Sequence, residues 1–185
     1  FKQARLSLAD AVAKVSFREG STFECFLHAR EPVGLMRWTG NEEIEPRLVP
    51  PRFGGAIRER ASGSITAGDL AQLGYPAPRE EQGTGWMGFR QEGAEGFRFA
   101  IYLAWSRKGN EWFGAWSIAS SFEGEDPFVL ARERVEESLQ AGWAPLFEAH
   151  REWWRGYWGR STIRLPNPLL ERQWFLEQYK FGSAS

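Results

Sequence analysis

From Ala4 to about Phe122 the apolar positions of this chain tend to recur at every second residue, and after Gly124 they recur every third or fourth. The first spacing puts alternate side chains on opposite faces of a strand; the second gathers them along one side of a helix. Phe97, Phe99, Ile101, Leu103 and Trp105 alternate with Arg98, Ala100, Tyr102 and Ala104, which predicts a strand with one strongly apolar face. Thr22 to Ala29 behaves likewise, with Phe23, Cys25 and Leu27 set against Thr22, Glu24 and His28, until Pro32 ends it. Val33 to Thr39, Trp86 to Gln91 and Glu111 to Ser121 read as further strands. Turns fall at the Gly-rich breaks Glu92 to Gly96 and Lys108-Gly109-Asn110, so the last three strands form an antiparallel meander.

Between Glu45 and Gln82 no period is sustained. Pro46, Pro50, Pro51, Gly54, Gly55, Gly63, Pro76 and Pro78 predict a long excursion carrying one short helical or strand piece.

After Gly124 the signals are those of helices. Asp126-Pro127 supplies an acidic N-cap and a proline at the first helical position, where no N–H is needed. Phe128, Arg132, Val135 and Leu139 keep helical spacing, and Gly142 stops the run. A second helix is expected from about Pro145 to Gly159, carrying Phe147, His150, Trp153, Trp154, Tyr157 and Trp158. Ser161 to Pro166 is an extended connector, and Asn167-Pro168 repeats the capping device. The third helix is apolar on more than one face, through Leu169, Leu170, Trp174, Phe175, Leu176, Tyr179 and Phe181. Gly182 is placed to cap it, and a helix so apolar needs neighbours on several sides, which predicts that the piece stops inside a larger fold.

Charge narrows the partners. Lysine plus arginine (23) almost balances aspartate plus glutamate (24), leaving no basic footprint for nucleic acid. No apolar run reaches the ~18 residues of a membrane helix. The chain begins at Phe1 without an initiator methionine, so periplasmic, secreted and cytoplasmic locations all stay open. The single cysteine, Cys25, excludes an internal disulfide and a thiolate zinc cluster, and reads as a small buried strand residue. Ten tryptophans, 14 phenylalanines and 4 tyrosines are the outlying feature. Such rings serve sugar-binding platforms and also large cores and interfaces, and composition favours the interface.

Cofactor and catalytic motifs are absent. Gly83-Thr-Gly85-Trp-Met-Gly88 has the spacing of a dinucleotide fingerprint, but it leads into a predicted strand instead of opening a helix. There is no P-loop and no Gly-x-Ser-x-Gly elbow, and His28 and His150 are too few for a zinc site without carboxylates. No cofactor and no metal are expected. Glu92 and Glu95 are the one strand-end carboxylate pair worth testing for glycoside hydrolysis, and their Gly-flanked turn reads as solvated hairpin. Trp86, Trp112 and Trp116 lie on strands and are the possible sugar-contacting residues; Trp112 and Trp116 share parity and therefore a face, more often core than platform.

The most distinctive stretch runs from His150 through Trp153-Trp154, Tyr157-Trp158 and Arg160-Ser161 to Ile163-Arg-Leu165-Pro166 and Leu170 to Lys180. It resembles the linker and first barrel helix of bacterial glycoside hydrolases of family 95, the α-L-fucosidase-like group, and of relatives sharing the family 65 layout. Gln91 to Trp105 more weakly resembles a late strand pair of their N-terminal sandwich. The resemblance implies a mainly β chain: an antiparallel β-sandwich of the super-sandwich type at 1–124, incomplete at its N-terminus, a helical linker at 125–161, and the start of an (α/α)6 catalytic barrel at 162–185. It implies that the catalytic carboxylates lie outside this chain, so no catalytic residue is carried over. His150, Trp153, Trp154, Tyr157, Trp158, Arg160 and Trp174 are the implied domain-interface residues. The implied partners are the barrel of the same polypeptide and, through the full-length enzyme, a carbohydrate substrate. The competing expectation is a stand-alone carbohydrate-binding or interaction module.

Overall fold

Two four-stranded meanders laid side by side make up the sheet. The computed structural model describes residues 1–51, 53–54, 70–71 and 73–184. β1 (Gln3–Ser7), β2 (Val12–Ser16), β3 (Thr22–Leu27) and β4 (Val33–Thr39) form the first meander. β5 (Arg79–Gly83), β6 (Trp86–Glu92), β7 (Arg98–Lys108) and β8 (Glu111–Ser120) form the second. The strand order is β1-β2-β3-β4-β8-β7-β6-β5, antiparallel at every pairing. Because β8 returns beside β4, the chain leaving β4 must travel to the far edge of the sheet before β5 can start. The excursion predicted between Glu45 and Gln82 makes that journey, and β5 is its strand piece; Gly55 and Gly63 lie outside the described residues.

Tight turns set the register of the second meander. Lys108 pairs with Glu111 across Gly109-Asn110, and Gly83 with Trp86 across Thr84-Gly85. Gly109 and Gly85 both take positive φ, 64° and 76°, which L-residues with a side chain rarely adopt. The stretch from Gly83 to Gly88 is therefore a hairpin and the start of β6.

Three helices follow the strands: α1 (Pro127–Ala141), α2 (Trp143–Trp158) and α3 (Pro168–Ala184). The mainly β class, an antiparallel sheet followed by helices, is the observed architecture. Asp126 caps α1 as its sequence signal predicts, accepting hydrogen bonds from the Phe128 and Val129 amides, and Asn167 does the same for Leu169 and Leu170 in α3. α2 begins two residues before the expected Pro145, which sits within its first turn where N–H groups have no helical acceptor.

The helices choose the less apolar face of the sheet. Phe99, Ile101, Leu103 and Trp105 do share one face, as alternation predicts, but α1 packs against the other face of β7 and β8. There Ala100, Ala104, Ala115 and Ala119 are buried in one cluster with Phe128, Ala131 and Val135 of α1. The physical reason is size: a floor of methyl groups lets a helix come close and interdigitate, whereas a floor of aromatic rings holds it away. Gly88 extends that floor, since a Cβ there would lie 2.7 Å from the Phe128 ring. α2 seats farther along the same face, with Phe26 of β3 against Trp143 (ring centroids 5.0 Å), Phe147 (5.6 Å) and His150 (4.5 Å). α1, at the head of the segment expected as a linker, thus shares the core of the sheet.

α3 lies on α2, and here one expectation needs correcting. Gly182 is not a C-terminal cap: it is a buried residue within α3, packed where a Cβ would meet Trp154 and Tyr157 of α2, each at 2.9 Å. Helix propensity alone makes Gly182→Ala favourable by up to about 1 kcal/mol. The contact reverses the sign, because Trp154 is buried and its ring has nowhere to retreat. Gly182→Ala is expected to loosen α3 and speed tryptic cleavage after Lys180; unchanged or slower cleavage would show the contact to be slack.

Candidate functional site

One feature that chemistry can use is the sheet face opposite α1. Strand parity puts Leu6, Phe23, Cys25, Leu27, Met36, Trp38, Leu103, Trp105, Trp112, Trp116 and Ile118 on it. At the β5–β6 end, loop segments lie against it: the Leu48 amide donates to Met87 Sδ (3.2 Å), Gln91 Nε2 donates to the Pro76 carbonyl (3.0 Å), and Phe89 is buried. Toward β3 and β4 it is open, with Leu27 62% and Ile118 46% exposed.

Tryptophans are seated on glycines across this open part. Trp116 lies over Gly34, its direct partner on β4, and Trp112 over Gly114; in both places a Cβ would collide with the indole. Trp112 is buried and stacks on Trp105 at 6.4 Å and 30°, while Trp116 is half-buried. Trp112 and Trp116 therefore share a face, as their parity predicts. Trp86 is on the opposite, helix-bearing face, stacked on Tyr102 (5.3 Å, 19°) and edge-on to Phe128. The three possible sugar-contacting residues do not form one cluster.

Trp116 also lines a cleft of about 350 Å³ with Cys25, Leu27, His28, Met36 and, from the helices, Tyr179. Cys25 is half-buried here, less enclosed than its strand position predicts, and burial pushes its thiol up from the usual range.

The aromatic stripe of α2 divides into two sets. His150, Trp154 and Trp158 turn inward. Trp158 Nε1 donates to the Leu8 carbonyl (3.0 Å), and His150 Nε2 lies 2.8 Å from the Asp10 carbonyl; Arg151 Nε reaches the Asp10 carboxylate (3.2 Å). These contacts clasp the β1–β2 turn to α2, and Trp154 stacks on Tyr179 of α3 at 5.5 Å. Trp153, Tyr157 and Arg160 instead line an open groove with Arg30, Glu152 and Arg155, where Trp153 and Tyr157 are stacked at 5.4 Å and 9°. Trp174 lies on α3, half-buried and edge-on to Phe175. Beyond it Leu169 (71%) and Phe181 (68%) are exposed.

A polar cleft of about 570 Å³ at the N-terminus of α1 was not foreseen from sequence. Arg79, Arg90 and Arg98 line it with Glu92, Glu125 and Asp126. Arg90 bridges Asp126 (2.7 Å) and Glu81 (2.9 Å) while its guanidinium lies 4.1 Å above the Phe128 ring. Burial alone would raise the Asp126 carboxyl; hydrogen bonds from Arg90 and the capped amides outweigh it and hold the group below its usual value. Glu92 closes β6 and pairs loosely with Arg79 (3.9 Å), whereas Glu95 sits at φ 54° in a short turn at Ala94–Gly96. Among the described residues no group of three or more His, Cys, Asp or Glu side chains is arranged to hold a metal ion.

No family model matches the chain, and no curated protein matches it. Its fold is similar to that of a human-microbiome protein provisionally assigned as a kojibiose phosphorylase, with a TM-score of 0.55 at 8% sequence identity. The match covers 84% of this chain and 23% of that one, so the chain spans about a quarter of its structural neighbour's length.

Proposed function

We propose that this chain is a non-catalytic region of a glycan-active enzyme, a sheet and helical connector that carries a catalytic barrel of the same polypeptide. The observation behind this reading is the fold likeness over 84% of the chain to 23% of the neighbour assigned as a kojibiose phosphorylase. Of the two layouts that the aromatic α2–α3 segment resembles, that neighbour favours the family 65 type over the fucosidase-like family 95 type. In this reading 1–124 belongs to a β-sandwich whose second layer meets the open aromatic face, 125–161 links, and 162–185 opens the barrel. The exposed groove of Trp153, Tyr157 and Arg160, with Leu169, Leu170 and Phe181 of α3, is the docking side. The glycan is a ligand of the whole enzyme, handled by carboxylates of the barrel.

A second reading is favoured by Trp116, half-buried over Gly34 on the open face beside the exposed Leu27: a module that itself stacks on sugar rings. A glycan microarray probed with the purified chain separates the two. The scaffold reading predicts no retention on any glycan; saturable retention that Trp116→Ala removes and Trp153→Ala leaves intact would replace it with the binding module.

A further inference from the structure

The only two histidines of the chain, separated by more than 120 positions, face each other across the seam between α2 and the sheet, their ring centroids 6.1 Å apart. Each is held in a way that uses the neutral ring. His28 Nδ1 accepts hydrogen bonds from the Glu31 amide (3.0 Å) and the Arg30 amide (3.4 Å), which closes the β3–β4 turn. A protonated imidazole carries hydrogen on both nitrogens and cannot accept them. His150 is 0% exposed, tilted against Phe26 at 4.5 Å, and only its Nε2 is committed, lying 2.8 Å from the Asp10 carbonyl. A carbonyl oxygen only accepts, so Nε2 carries the hydrogen in this contact. His150 Nδ1 has no hydrogen-bond partner among the described residues, so a second proton there would be buried, and its desolvation outweighs the backbone at Asp10 and Ala11 that favours it.

We propose that His28 and His150 form an acid-release latch: protonating the pair opens the seam that holds α2, and with it α3, to the β1–β2 and β3–β4 turns, while α1 stays on β7 and β8. The charged groups facing the pair come from each element around it. Asp10 is on the β1–β2 turn, Arg30 and Glu31 on the β3–β4 turn, and Glu148 and Arg151 on α2; the α3 charges Glu177 and Lys180 pair with one another. Asp10, Glu31 and the backbone at Ala11 and Leu146 favour the imidazolium form, whereas Arg30 opposes it at His28 and the His28 charge opposes it at His150. Desolvation is the largest influence on both, so each histidine lies below its ordinary 6.5.

The sign follows from linkage. Between the native and unfolded values the open state binds more protons, so the closed seam is most stable above about pH 6.5 and weakens as pH falls. Each histidine shifts the opening equilibrium by up to about tenfold per pH unit in that window, about a hundredfold for the two together. Carboxylates ordinarily titrate near ~4, lower than this range, and α1 has no histidine, so it serves as the internal reference.

The test is amide hydrogen exchange on the whole chain at pH 7.5 and 5.2, corrected for intrinsic rates, with α2 compared to α1. The expected result is a loss of α2 protection relative to α1 by about tenfold or more at pH 5.2. It should vanish in the double variant His28→Asn with His150→Gln, whose side-chain amides supply the same acceptor and donor without titrating. An α2-to-α1 ratio equal at both values, or an acid loss that persists in the double variant, would overturn the latch. Should the variant fold poorly, NMR titration of the two imidazoles in the unaltered chain decides, with native values at or above 6.5 overturning it.

Discussion

Trp143→Ala is expected to lower the stability of the chain by about 3–5 kcal/mol, the range for removing a large buried aromatic, read as a shift of the urea midpoint. Trp143 is buried where α2 starts, at the point where both meanders and two helices meet. It packs edge-on to Phe26 (5.0 Å) and Phe113 (6.2 Å), lies beside Phe147 (5.7 Å), and is capped by the Arg37 guanidinium at 4.5 Å. Arg37 is itself fixed by Glu24 at 2.6 Å, so the cation above the ring is positioned. Removing the indole leaves a void among groups that are all tied elsewhere, the condition under which collapse recovers least. Trp153→Ala is the matched control, because that half-buried ring stacks mainly on Tyr157 and lines the open groove. It should cost no more than about 1 kcal/mol. Equal shifts for the two variants would mean that α2 is not seated on Phe26 as described.

Ala131→Leu is expected to cost about 1–3 kcal/mol, a fall in Tm of several degrees for a chain of this size. Alanine and leucine are similar in helix propensity, so the loss reports packing and little else. Ala131 is 0% exposed, and its neighbours in the cluster include Ala100, Ala115 and Ala119, each also fully buried. Three added carbons have no space between a helix and a floor of methyl groups. Glu133→Leu, exposed on the same helix, should move Tm by a degree or two at most. A neutral Ala131→Leu would show that α1 stands off the sheet.

Strands with strong alternation were legible in the sequence: β3, β4, β6 and β8 lie within a residue or two of their predicted spans, β7 runs three residues past its predicted end at Trp105, and the caps fall at Asp126 and Asn167 as predicted. β1, β2 and β5 were not individually legible, for a common reason. Gln3–Ser7, Val12–Ser16 and Arg79–Gly83 are short, and β5 has no apolar side chain at all. An edge strand exposed along its whole length needs none, and its charges guard the open edge against pairing with another chain. Only the Thr84-Gly85 turn ahead of Trp86 hinted at a partner strand. Alternation showed that β7 has two faces but not which one bears helices; the clue was the small residues at 100, 104, 115 and 119, a signal of size and not of hydrophobicity. The clasp of His150, Arg151 and Trp158 on Leu8 and Asp10 joins residues some 140 to 150 positions apart, and nothing local encodes it. Gly182 misled because a glycine near a helix end usually signals a cap, whereas here two aromatic rings of another helix fill the space of its missing side chain.

Turnover is the most direct measure of whether this chain scaffolds chemistry or performs it. The purified chain should be incubated with a panel of aryl glycosides, including α-L-fucosides, and with α-linked glucose disaccharides, each in the presence and absence of inorganic phosphate. The scaffold reading predicts no release of sugar or sugar phosphate above a heat-denatured control under any condition. Sustained turnover that Glu92→Gln or Glu95→Gln abolishes, with folding intact, would place catalytic carboxylates at the turn after β6 and contradict it.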